Sequence, residues 1–164
     1  MEVLTTPTLR AAAIGPSHAL APILAARADI FEMTRAAENA VLTPNNPGGL
    51  SLGERAALAC RMARLNAEPN LAAHFEERLA MTDLKDSSIA DPSFDGGPSP
   101  RLQALLSHTD QVTQDPKSLT ATDIDALKDA DINEDDIVRL SQLIAFVNYQ
   151  VRVSHGVRLM AAAS

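Results

Sequence analysis

The run Leu50-Ser-Leu-Gly-Glu-Arg-Ala-Ala-Leu-Ala-Cys-Arg-Met-Ala-Arg-Leu-Asn-Ala-Glu-Pro-Asn-Leu-Ala-Ala-His74 contains two helix starts and the stop between them. Ser51-Leu-Gly-Glu54 is a capping-box pattern: the serine oxygen accepts a first-turn N–H while the glutamate reaches back to the serine N–H. The helix it opens is expected to run to about Asn66. Pro69 suits the first turn of a second helix, expected to reach about Thr82. On a helical wheel Leu52, Ala56, Ala59, Cys60 and Ala63 share a face of mostly small side chains, which lets another helix approach closely. Leu58, Met62 and Leu65 form a second apolar side, and the polar positions are few: Glu54, Arg61 and Arg64. A helix apolar on two sides is expected between neighbours, so this stretch predicts helix packed on helix.

The same pattern extends in both directions. Ser17 is placed to cap a first short helix. Ala28–Leu42 reads as another, ended by Thr43-Pro44 and the turn Asn45-Asn-Pro-Gly-Gly49. Residues 83–99 form one long polar connection, with Asp95-Gly-Gly-Pro98 as its turn. Pro100 begins a helix to about Gln114, Thr120–Asp129 is short, and Asn133 caps a last helix to about Val153 or beyond, with Gly156 as the stop. That last helix is apolar nearly all round (Ile137, Val138, Leu140, Leu143, Ile144, Phe146, Val147, Val151), which marks it as the central one. It also carries a polar stripe, Ser141, Asn148, Arg152 and His155, within about 60° at ~100° per residue. Buried polar groups need partners, so the stripe is expected to face a pocket, another subunit or a carboxylate. No alternating strand pattern and no internal repeat is found, and residues 1–164 are expected to form a single all-α domain.

Composition narrows the function classes. Hydrophobic residues make up 46% of the chain but aromatics only 3%, so the core is built from Ala, Leu, Ile, Val and Met. A formal charge of −7 argues against nucleic-acid binding, which needs a basic face, and gives no support to an acidic membrane surface as partner. One cysteine, Cys60, rules out an internal disulfide or a CxxC pair and suits a reducing cytoplasm. The start of the chain has no basic and apolar signal pattern, and the apolar run at Leu140–Val147 is too short to span a bilayer. The four histidines, His18, His74, His108 and His155, have no ligand-like spacing, so neither a metal nor a cofactor is expected. The adjacent pairs Ser107-His108 and Ser154-His155 point apart on a helix and make no nucleophile–base unit.

Taken whole, the chain resembles the carboxymuconolactone decarboxylase / alkylhydroperoxidase D-like superfamily, and within it a subgroup of short proteins without the cysteine pair. Three segments carry the resemblance. They are Ile30-Phe-Glu-Met-Thr-Arg with Ala40-Val-Leu-Thr-Pro, then Leu50–His74, and above all Pro100–Met160. The resemblance implies an alkylhydroperoxidase D-like helical fold and a peroxide-related, antioxidant setting. Its motif places two cysteines at a helix start and a histidine four residues after the second. Counting back from His74 puts Asn70 and Ala67 in the cysteine slots and Arg55 at the proton-relay glutamate. Anchoring on Leu65-Asn66 instead puts Glu68 and Leu71 in those slots, Ala56 at the glutamate and Phe75 at the histidine. Neither frame recovers a cysteine, and the family's thiol cycle needs two.

The surviving candidates are therefore few. His74 is the first catalytic candidate, and Glu68 is the second, either as its acid/base partner or as charge compensation at a helix start. Cys60 is the candidate for a one-cysteine peroxidase, although a buried structural cysteine is the commoner setting. Arg55 and Arg152, with Asn148 and Ser141, are candidate binding residues for an anionic substrate, because guanidinium forks match carboxylates, and each arginine is equally a candidate member of a structural ion pair. Two readings follow. One is a non-redox scaffold, a homo-oligomer (dimer, trimer or hexamer) or the partner subunit of a related cysteine-containing protein; the empty slots and the Ala-rich faces favour it. The other is a cofactor-free acid/base enzyme of decarboxylase or lactone type, which a pocket holding His74 and an arginine would favour.

Overall fold

Eight α-helices and three 3-10 turns account for the regular structure of residues 2–83 and 87–163, which the computed structural model describes; no strand occurs among them. The protein is all-α. After a 3-10 turn at Glu2–Thr5 come α1 (Pro7–Ala11), α2 (Ala21–Ala25), α3 (Ala28–Leu42), α4 (Leu52–Leu65) and α5 (Pro69–Ala80). A 3-10 turn at Ser88–Ala90 then leads to α6 (Pro100–Gln114). Another at Pro116–Ser118 precedes α7 (Ala121–Asp129) and α8 (Glu134–Ala162).

The capping box forms as its spacing predicts: Glu54 N–H donates to Ser51 Oγ at 3.1 Å, and Ser51 N–H donates to Glu54 Oε2 at 2.9 Å. At the other end of α4 the chain reverses through a Schellman turn. Glu68 N–H reaches Ala63 O at 2.9 Å and Ala67 N–H reaches Arg64 O at 3.0 Å. Ala67 sits at φ 53°, where glycine is the usual occupant. This turn lays α5 against α4, whose small side chains permit the close approach, and it directs the Glu68 side chain inward.

Helix α8 spans 29 residues, about 44 Å at 1.5 Å per residue, and touches α1, α3, α4, α6 and α7. It joins two apolar clusters. The larger runs from Leu42 through α4 and α5 to Val151. The smaller gathers Val3, Leu9, Leu20 and Phe31 around Val157. The division of the core therefore falls near the N-terminus, not at the long polar loop.

Several local expectations are corrected. Ser17 caps nothing: α2 begins at Ala21, and Leu20 N–H is taken by His18 Nδ1 at 3.1 Å. The turn at Glu2–Thr5 and α1 both precede the first helix read from the sequence. Gly156 does not stop α8, because Val157 is buried against the N-terminal cluster and that packing outweighs the glycine's roughly 1 kcal/mol helix penalty. Leu52, assigned to the small-residue face, is exposed, as is Val138 on α8. Arg61, one of the few polar positions of α4, is buried; it holds both Asp110 oxygens at 2.6 Å and the carbonyls of Asp91, Pro92 and Phe94. The polar loop is thus pinned to α4 from inside. Positions 84–86 of the loop lie outside the described residues.

Candidate functional site

Helix α3 presents Phe31, Thr34, Glu38 and Leu42 to the interior, the i, i+3, i+7 pattern of a buried face with one acid in it. Glu38 is only 3% exposed. Its Oε1 lies 2.7 Å from His74 Nε2, on α5, and its Oε2 accepts the amide of Gln150, on α8, at 2.9 Å. An ionised carboxylate only accepts. With Glu38 ionised and His74 neutral, this contact puts the proton on Nε2 and leaves Nδ1 with a lone pair. The His74 side chain is 15% exposed and lines a cleft of about 190 Å³ with Pro7, Arg10, Ala11, Asn70 and Ala73. An imidazole oriented by a carboxylate beside an arginine-rimmed cleft is equipped to move a proton.

Glu68 is elsewhere. It is the N-cap residue of α5 but caps nothing with its side chain, which is buried against Arg158 and His155. Arg158 donates through both terminal nitrogens, Nη1 to Oε2 at 2.9 Å and Nη2 to Oε1, and His155 Nε2 also contacts Oε1. The carboxylate beside His74 is therefore Glu38, while Glu68 is paired with Arg158 and His155. Glu38 and Gln150 were not singled out in the sequence, yet both carry a signal. Each is a polar residue in phase with the buried face of its helix.

Cys60 offers no usable thiolate. Its side chain is fully buried, Sγ lies 3.6 Å from Ala72 O, and burial pushes the thiol from 9.0 up to about 11, a shift the nearby Arg64 only partly opposes. A neutral, inaccessible thiol is neither a nucleophile nor a peroxide sensor at pH 7. Leu71 and Phe75, in the alternative motif slots, are fully buried core residues, and Asn70 donates to Ala11 O at 3.1 Å.

The candidate binding residues separate into two groups. Arg55 is 2% exposed and spends its guanidinium on the carbonyls of Leu50, Val41 and Pro47 at 2.8–2.9 Å. It ties the α3–α4 turn to α4. That turn is also held by Asp136, whose carboxylate accepts Gly49 N–H at 3.0 Å and Arg139 at 2.9 Å. Gly48 there has φ +65°, and a Cβ on it would meet Asp136 at 2.5 Å. Ser141, Asn148 and Arg152, by contrast, line one cleft with His108, and only His155 of the polar stripe turns away to Glu68.

Among the described residues no three His, Cys, Asp or Glu side chains cluster to hold a metal ion, and no helix is long and apolar enough to cross a membrane. Comparison with protein-family models, with curated proteins and with solved structures finds no match.

Proposed function

We propose that this protein is a cofactor-free acid/base catalyst acting on a small carboxylate or lactone, with His74 as the group that moves the proton. The observation that carries this reading is the hydrogen-bonded chain Gln150–Glu38–His74, which ends at a cleft with Arg10 on its rim. Glu38 orients the imidazole and compensates the charge it gains on protonation, while Gln150 fixes the carboxylate. Arg10, exposed on α1, supplies the positive charge for a substrate carboxylate. His74 Nδ1 then takes a proton from carbon beside a carbonyl, or returns one to it. Such chemistry needs no thiol, which agrees with the inert setting of Cys60. It is also compatible with the resemblance to the decarboxylase branch and its alkylhydroperoxidase D-like fold.

The experiment is hydrogen–deuterium exchange in D₂O, followed by proton NMR, on a panel of small keto acids and unsaturated lactone acids. Wild-type protein is expected to accelerate exchange at the carbon next to the carbonyl, and His74→Ala to lose about 10²–10⁴-fold of that rate. Equal rates for wild type, His74→Ala and buffer would overturn the reading.

A second reading, a non-redox homo-oligomer or the partner subunit of a related cysteine-containing protein, is favoured by exposed apolar side chains on the outside of α3 and α8. Met33 and Tyr149 are both exposed, and Tyr149 Oη lies 3.2 Å from the Thr34 hydroxyl, which places them on neighbouring helices. Val138, Leu159 and Met160 add to the exposed apolar surface of α8. Surfaces of this kind suit association of chains.

A further inference from the structure

The cleft on the other side of α8 has no role in the acid/base reading. It is lined by His108 and Val112 of α6, Pro116 of the following turn, and Ser141, Ile144, Ala145, Asn148 and Arg152 of α8. At about 360 Å³ it falls within the size range of small-molecule sites, unlike the smaller His74 cleft. The two share no lining residue. Asn148 and Gln150 are two positions apart on α8, about 200° around the helix, so one helix serves both sides.

The rim and floor of this cleft differ in character. Pro116, Ser141, Ala145 and Arg152 are exposed, whereas Ile144, Asn148 and His108 are buried. Arg152 pairs with no carboxylate among the described residues; its one protein bond is to the Asn148 carbonyl at 3.1 Å. The Ser141 hydroxyl and the Asn148 amide turn to backbone carbonyls of α8, at 2.8 and 3.1 Å. His108 is 7% exposed, and its Nδ1 has no hydrogen-bond partner and no contact with solvent. The carboxylate acting on His108 from α7 is Asp123, and it is already taken by Thr120 N–H at 2.6 Å and the Thr120 hydroxyl at 3.0 Å. Burial holds the imidazole below its ordinary range, with Asp123 opposing, so it is neutral at pH 7 and Arg152 is the cation of the site.

We propose that this cleft binds a small organic carboxylate, its charged end on Arg152 and its hydrocarbon part along Val112, Ile144 and Ala145 toward His108. An exposed unpaired guanidinium beside an apolar channel selects an anion with an apolar body.

The test is titration of the full chain with hexanoate, read from the ring resonances of His108 by NMR, with hexanamide as the uncharged probe. Hexanoate is expected to shift those resonances saturably, and hexanamide to bind at least tenfold more weakly. Arg152→Ala should weaken hexanoate by about tenfold, equivalent to about 1.4 kcal/mol. His74→Ala should bind hexanoate normally, which separates this site from the acid/base reading. No saturable shift up to about 10 mM, equal binding of acid and amide, or normal affinity in Arg152→Ala would each overturn the proposal.

Discussion

Two glutamate–histidine contacts meet helix α5, and they are built for different work. At one, Glu38 is fully enclosed and receives only a neutral amide and His74, whose ring reaches a cleft. At the other, Glu68 is enclosed but receives the fork of Arg158 together with His155, and His155 is half exposed. In the first, among the described residues, the buried carboxylate is paired with one imidazole and one neutral amide and with no permanent cation. In the second the permanently charged arginine fork balances the carboxylate, and the half-exposed histidine sits beside that pair. The same pair of residue types is thus a proton-handling unit in one place and a structural clamp in the other. What separates them is the charge of the third partner.

The comparison is most exposed to failure at Arg158. Arg158→Met leaves the Glu68 carboxylate buried with only His155 against it and is expected to destabilise the fold by about 3 kcal/mol, measured by urea unfolding. The same variant should leave proton exchange at the His74 cleft within about twofold of wild type, because an unpaired carboxylate at Glu68 does not reorient His74. A large loss of exchange with unchanged stability would reverse the two assignments. Glu38→Gln is the converse. It keeps the shape and removes the charge, so it should cost about 1 kcal/mol in stability but slow exchange by at least about tenfold. A Glu38→Gln protein as active as wild type would show that the two pairs do not differ in kind.

The smallest effect concerns Cys60, which packs beneath α5 against Ala72. Its thiol titrates at about 11 in the fold against an ordinary 9.0. Between those values the unfolded chain has already released the proton and the folded chain has not. Stability is therefore expected to fall as pH rises from about 9 to about 11, and a Cys60→Ala variant should show a shallower fall. Identical pH profiles for the two proteins would mean that the thiol ionises freely, and Cys60 would return as a candidate nucleophile.

Much of the helical order was legible because it rests on local rules. The Ser51–Glu54 box, Pro69, Pro100 and the Ala28–Leu42 periodicity are each decided by neighbours within a turn or two, and the structure has helices where they predict. Gly156 misled because its propensity is outweighed by the packing of Val157 against a segment more than a hundred residues away in sequence. The site was half legible. His74, Arg152, Asn148 and Ser141 stood out as polar residues in apolar settings, but their partners did not follow from spacing. Glu38 reaches His74 across 36 positions and Gln150 across 112. Arg55 was a candidate for an anion or for a structural pair, and the fold spends it, like Arg61, on backbone carbonyls, with Asp110 added at Arg61.

By itself the sequence determined the all-helical class, the main helix starts and the lack of a cysteine pair, since these depend on residue type and on hydrogen bonds within a few positions. Only the tertiary structure decided which glutamate serves His74, that Arg158 claims Glu68, and that the stripe on α8 opens onto His108. A hydrogen bond between distant helices depends on how their buried faces rotate against each other. That rotation is set by the packing of the whole core, in which a polar residue is carried along with its apolar neighbours.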